Sequence, residues 1–259
     1  MPYHLQKSRI EFRTMLDSTL SMKKLLDLSK MKIRGIPEFY FFLFLFSANT
    51  CFAQKDVSIR SIDSLEWSSK ITQLRNDHGH NKRIEPSLEL ATLVALEFVK
   101  NLDNTKVNVK FASIGTSLNA RPTALSLIFR KRAKRQYIIR VNNKSKGKIP
   151  LVQNANFNAT VGVLGHELSH IQDYSSRSFG GVLKRLFAYG SKKGKEKYEK
   201  EIDSLTIWSG LGWQAADWER FVQNSPVATD KYKAFKREIY YESKEIEALI
   251  ENYEKSLRD

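Results

Sequence analysis

Residues 158 to 174 read NATVGVLGHELSHIQDY, and the segment His166-Glu167-Leu168-Ser169-His170 within them governs the reading of the whole chain. Val161, Val163 and Leu164 precede it and Ile171 follows, and Glu167 is the only carboxylate from 158 to 172. That pattern predicts a buried helix. On a helix, positions i and i+4 share a face one turn apart, so two imidazoles there can hold one zinc ion, each at about 2.0–2.1 Å. Glu167, beside the first histidine, leans toward the open coordination position. There it can take a proton from water activated by the metal and pass it to a leaving amine. From the ordinary abundance of His and Glu, a chain this long carries the five-residue pattern by accident in under roughly 1% of cases.

A zinc ion that keeps one position for water needs a third protein ligand. A metzincin places Gly three residues after the second histidine and a third His six after it. Asp173 and Ser176 stand at those positions, which excludes that class. His78 and His80 lie in the polar run Asn76-Asp77-His78-Gly79-His80-Asn81, read as a solvated turn. A carboxylate fits better. In Tyr198-Glu199-Lys200-Glu201-Ile202-Asp203, Glu199 and Asp203 are i and i+4 on a predicted helix. Glu199 is the expected ligand. Asp203 is expected to accept the free ring N–H of a ligand histidine, which fixes its tautomer and orientation. Glu201 points away, and Glu196 is the fallback ligand. The competing reading is a solvated helix laced with Glu–Lys pairs, because Lys195, Lys197 and Lys200 surround the acids.

HELSH followed by Glu199-x-Glu201-x-Asp203 resembles the gluzincin metallopeptidases, closest to small soluble domains with HExxH and an ExExD-like segment. Ile202 stands where such proteins usually carry Ala before the Asp. The resemblance covers roughly residues 86 to 210. It implies a zincin-like α+β fold: a helix, a small sheet, the HExxH helix and the glutamate helix, in that order. It implies zinc as cofactor and a peptide or protein substrate bound by backbone pairing to the sheet's edge strand, a role that falls on Gln136 to Val141. Gluzincins often add a His or Tyr that stabilises the oxyanion. No histidine follows His170, and Tyr174, Tyr189 and Tyr198 are near in sequence with nothing to select one.

The rest of the chain gives the setting. A single cysteine, Cys51, excludes a disulfide scaffold and a zinc site built on several thiolates. No apolar run reaches 18 residues, which excludes a multispan membrane protein. Residues 39 to 46, FYFFLFLF, follow Lys32 and Arg34 and precede Cys51-Phe52-Ala53-Gln54, the layout of a secretory leader cut after Ala53. That reading starts the protein at Met31, leaves residues 1 to 30 as a mis-called extension, and sends the product to the periplasm or the medium. Membrane tethering by an uncleaved 39–53 segment is the alternative. The 259 residues carry a net charge of +15. Eight basic and four acidic residues fall in 1–53, leaving 35 against 24 in the exported part. Such a surface favours anionic partners, including the cell envelope. No nucleic-acid-binding motif accompanies it.

The expected elements are a helix near 61–75, a helix over 86–102, a strand at 107–111, and a hairpin of Ala124–Phe129 with Gln136–Val141. Helices follow at 158–174, 181–189, 195–209, 212–223 and 230–257, with Gly210 and Gly212 as punctuation. They sort into a polar segment (54–84), a metallopeptidase domain (85–210) and a helical C-terminal subdomain (211–259). Its aromatic residues from Trp208 to Tyr241 are read as packing. The favoured function is an exported zinc-dependent peptidase with His166, His170 and Glu199 holding the metal and Glu167 as general base. A catalytically weak zinc module that binds a protein or anionic polymer is the alternative. A basic protein that binds envelope polymers or nucleic acid, with the motif incidental, comes third.

Overall fold

The 107–111 alternation forms a strand, as its pattern predicts. The computed structural model describes residues 59–144 and 148–258, all within one compact unit. The expected leader, and the extension expected before it, fall outside those residues. Two short helices, α1 (Ser64–Ser68) and α2 (Ile71–His78), are followed by β1 (Lys82–Ile84), a 3-10 turn at Pro86–Leu88 and α3 (Glu89–Phe98). The sheet continues with β2 (Lys106–Ala112), β3 (Leu118–Pro122) and β4 (Gln136–Asn142), and α4 (Ala124–Phe129) lies between the last two. Then come α5 (Phe157–Ser176), α6 (Phe179–Ala188), α7 (Lys192–Thr206), α8 (Gly212–Asn224), α9 (Asp230–Ile239) and α10 (Ser243–Arg258). The architecture is α+β, a small mixed four-stranded sheet with a helical C-terminal region. No described helix is long and apolar enough to cross a membrane.

The strand order is β1-β2-β4-β3, with β1, β2 and β4 parallel and β3 antiparallel to β4. Two expectations fail here. Ala124–Phe129 is a helix, and the antiparallel partner of β4 is Leu118–Pro122. Pro122 ends β3, and Ser126 turns inward, where its hydroxyl accepts from Gln136 N at 2.9 Å and lies 3.0 Å from Gln136 O. Those contacts tie α4 to the start of β4, so the chain returns parallel to β2. Consequently Gln136–Val141 is an interior strand, with β2 on one side and β3 on the other. The edges are β1 and β3, so the backbone-pairing role assigned to Gln136–Val141 has no free edge there.

Burial follows the pleat. Val107 and Val109 of β2 and Tyr137, Ile139 and Val141 of β4 face inward, while Lys106 and Lys110 face water. Against them pack Leu93, Leu96, Leu164, Leu168 and Ile171 from α3 and α5, all essentially without exposure. Burying each such side chain contributes about 1.5–3 kcal/mol, so this layer fixes where α5 sits. The same core takes in Ile62 and Leu74 at one end of the chain and Trp218 and Val222 at the other.

Helix α5 is also clamped by α8. Asn156 caps it, its side chain accepting from Ala159 N. A Cβ at Gly162 would lie 2.2 Å from the Gln214 carbonyl, so only glycine lets the two helices approach this closely. Gly210, at φ +96°, breaks the chain between α7 and α8 as its sequence context predicts. The expected helix over 230–257 is instead two, α9 and α10, separated by Tyr240–Glu242. The expected helix over 61–75 is likewise divided into α1 and α2.

Candidate metal centre

His166 and His170 stand one turn apart on α5 and face α7. The apolar side of α7, Tyr198 and Ile202, is buried against α5 and carries Glu199 and Asp203 inward with it. Thr206 donates to Ser169 Oγ at 3.1 Å and pins the two helices one turn further along. As a result Glu199 Oε2 lies 3.2 Å from His166 Nε2 and 3.2 Å from His170 Nε2. His166, His170 and Glu199 form a group that could hold a metal ion, with ligand atoms within 4.8 Å of one another.

The spacing suits zinc. Two atoms each about 2.0–2.1 Å from one ion, at the tetrahedral angle, lie about 3.3 Å apart. Two imidazole nitrogens and one carboxylate leave a fourth position open. Each of the three side chains is held from behind. His166 Nδ1 is 2.9 Å from Asp203 Oδ1, which leaves Nε2 as the nitrogen turned toward Glu199. His170 Nδ1 is 3.3 Å from the Tyr198 hydroxyl, which donates to Asp173 Oδ2 at 3.3 Å. Tyr189 donates to Glu199 Oε1 at 2.7 Å, so Oε2 alone faces the histidines.

The electrostatics of these side chains are those of paired opposite charges. Burial disfavours an imidazolium at His166, but the hydrogen bonds it donates to Asp203 and Glu199 outweigh it and raise its pKa to about 10. Burial likewise opposes a charged Glu199, and His170 and His166 outweigh it, holding the carboxyl well below the usual range. Glu167 differs. It is buried, its Oε2 has no hydrogen-bond partner, and burial pushes its pKa up. An unpaired buried carboxylate oxygen is costly, and a buried carboxyl of raised pKa is a candidate for a functional role.

Glu167 and His166 line a cleft together with Thr116, Ser117, Tyr232 and Lys236. Its far wall is α9, reached only after some sixty residues of intervening chain, and sequence reading did not place it there. Lys236 pairs with Glu219 at 2.8 Å, both side chains nearly enclosed, and its Nζ sits 3.3 Å above the Tyr240 ring. The Tyr240 ring is 5.8 Å from that of His166. Of the tyrosines singled out by sequence, Tyr198 and Tyr189 are committed to the ligands, and Tyr174 stacks on His170 at 6.1 Å. The fallback Glu196 is outside the group and pairs with Lys200 at 3.1 Å, and Glu201 pairs with Arg185 at 2.5 Å. His78 is no solvated turn. It ends α2 half-buried, its ring nitrogens 2.7 Å from Glu97 and 2.9 Å from Asp103. His80 is exposed. The chain matches no family model, no curated protein and no solved structure.

Proposed function

We propose that the protein is an exported, zinc-dependent metallopeptidase of gluzincin type. The observation that carries this reading is the single carboxylate oxygen of Glu199 at 3.2 Å from two imidazole Nε2 atoms, with an unpartnered buried glutamate one residue from the first of them. His166, His170 and Glu199 hold the zinc. Asp203 and the Tyr198–Asp173 pair orient the two histidines. A zinc ion there supplies Lewis acidity, acidifying water and polarising a peptide carbonyl.

The chain's own residues do the rest. Glu167, with its proton affinity raised by burial, accepts a proton from water and returns it to the leaving amine. Tyr240 lines the approach to His166 and can donate its O–H to a carbonyl oxygen on which charge develops. The cleft between α5 and α9 receives the scissile segment, and its enclosed walls exclude bulk water. The exposed backbone of β3, the edge strand beside α5, replaces β4 as the candidate for pairing with an extended substrate.

Zinc-loaded protein incubated with a mixed peptide library, with fragments read by mass spectrometry, tests this directly. Cleavage by the wild type, lost in Glu167→Gln at unchanged zinc content, supports the peptidase. Intact peptides at full zinc occupancy would instead leave a zinc-stabilised binding module.

A further inference from the structure

The surface farthest from ordinary behaviour lies on α4 and α6. On α4 the residues at i, i+3 and i+4, Leu125, Ile128 and Phe129, are 73%, 60% and 78% exposed, while Ser126 and Leu127 face the protein. The helix is amphipathic with its apolar stripe turned to solvent. On α6, Phe179, Leu186 and Phe187 share a stripe and are exposed, whereas Val182 is fully buried. The segment after α4 meets the segment before α6: Arg132 donates to Ser176 O at 3.2 Å and Arg135 to Arg177 O at 2.8 Å.

The charge around them is one-sided. From residue 104 to residue 166 the chain has twelve basic residues and no acidic one, and none lies between Asp173 and Glu196. Arg130, Lys131 and Lys134 are exposed, and none has a carboxylate partner among the described residues. We propose that α4, the 130–134 loop and α6 form a docking surface for an anionic lipid bilayer. Leu125, Ile128, Phe129, Phe179 and Phe187 enter the headgroup–acyl boundary, and the unpaired cations meet lipid phosphates.

The chemistry selects this occupant. A second copy of the chain would bring like charges face to face across a two-fold axis. A nucleic acid would use the cations but leave the aliphatic Leu125 and Ile128 against phosphate. A bilayer interface takes both kinds of group at once. The inference does not depend on any metal or catalytic reading.

An environment-sensitive fluorophore on Phe129→Cys tests it in the full-length protein, in a Cys51→Ser background. The same label on Leu65→Cys is the control, since Leu65 on α1 is 80% exposed and lies away from the cationic loop in sequence. With vesicles of equal parts phosphatidylglycerol and phosphatidylcholine, the label at 129 brightens and shifts to the blue, and the label at 65 does not. Phosphatidylcholine alone leaves both unchanged. Replacing Arg130, Lys131 and Lys134 together by Gln lowers partitioning roughly 100-fold at low salt. A silent label at 129, or equal responses at 129 and 65, overturns the proposal. So does a response at 129 that follows protein concentration without lipid, which would mean self-association, or one that DNA elicits as strongly as vesicles.

Discussion

Two histidine–carboxylate constellations occur in this molecule, and they do opposite things with the same groups. His78 lies between Glu97 and Asp103, with both ring nitrogens spent on separate carboxylates whose own side chains are 42% and 57% exposed. It crosslinks α2 to α3 and the loop after it. His166 and His170 each spend only Nδ1 on a supporting group and turn Nε2 toward one shared oxygen of a nearly fully buried Glu199. Convergence of lone pairs is what separates a metal centre from a surface ion pair. It requires two imidazoles on one helix face, a carboxylate from a second helix, and outward-facing nitrogens already satisfied.

The sharpest way to break the contrast is at Glu167, which is buried, whereas the acid beside His78, Asp77, is exposed. Glu167→Gln should lower peptide cleavage about 10²–10⁴-fold while zinc content and fold hold, measured by single-turnover assays beside metal analysis. A smaller loss would mean that another group moves the proton. Next is Asp203, which holds His166 Nδ1 and also accepts from Tyr241 N at 3.1 Å. Asp203→Ala should weaken zinc about 10–100-fold in a competition titration with a chromophoric chelator.

The pH dependence separates the empty from the filled centre. In the metal-free protein the folded pKa of His166, about 10, exceeds its unfolded value of 6.5. Its contribution is therefore fully present below 6.5 and lost as pH rises through about 10, so chemical denaturation should show the empty protein weakening across that window. Zinc must displace the same proton, so its affinity should rise over that window by up to tenfold per pH unit. A flat affinity would show that His166 is not a ligand. The smallest effect is expected at the other constellation. His78→Ala should cost about 1 kcal/mol or less, because its partners are largely exposed, and should leave zinc unchanged.

What could be read from sequence follows from how local each feature is. The spacing of His166 and His170, and of Glu199 and Asp203, is a property of single helices, and the inward face of each was set by Val163, Leu164, Ile171, Tyr198 and Ile202. Gly210 marked the break after α7 for the same reason. Ala124–Phe129 misled because only Leu127 of its large apolar residues joins the core. Three of them face water, so their pattern says nothing about what the backbone pairs with. The sheet order was hidden for a related reason: β2 and β4 are parallel neighbours joined by a crossover, and only tertiary packing records that. Lys236 and Tyr240 reach the cleft because α8 folds back across α5 at Gly162, a contact between residues far apart in the chain. His78 looked like part of a polar turn because its partners Glu97 and Asp103 lie 19 and 25 residues away.

The most direct measurement is zinc stoichiometry by mass spectrometry on purified protein, wild type beside Glu199→Ala and His78→Ala. About one zinc per chain in the wild type and in His78→Ala, and none retained in Glu199→Ala, is the expected result. Zinc that persists in folded Glu199→Ala, or that is absent from a folded wild type supplied with the metal, would contradict the account.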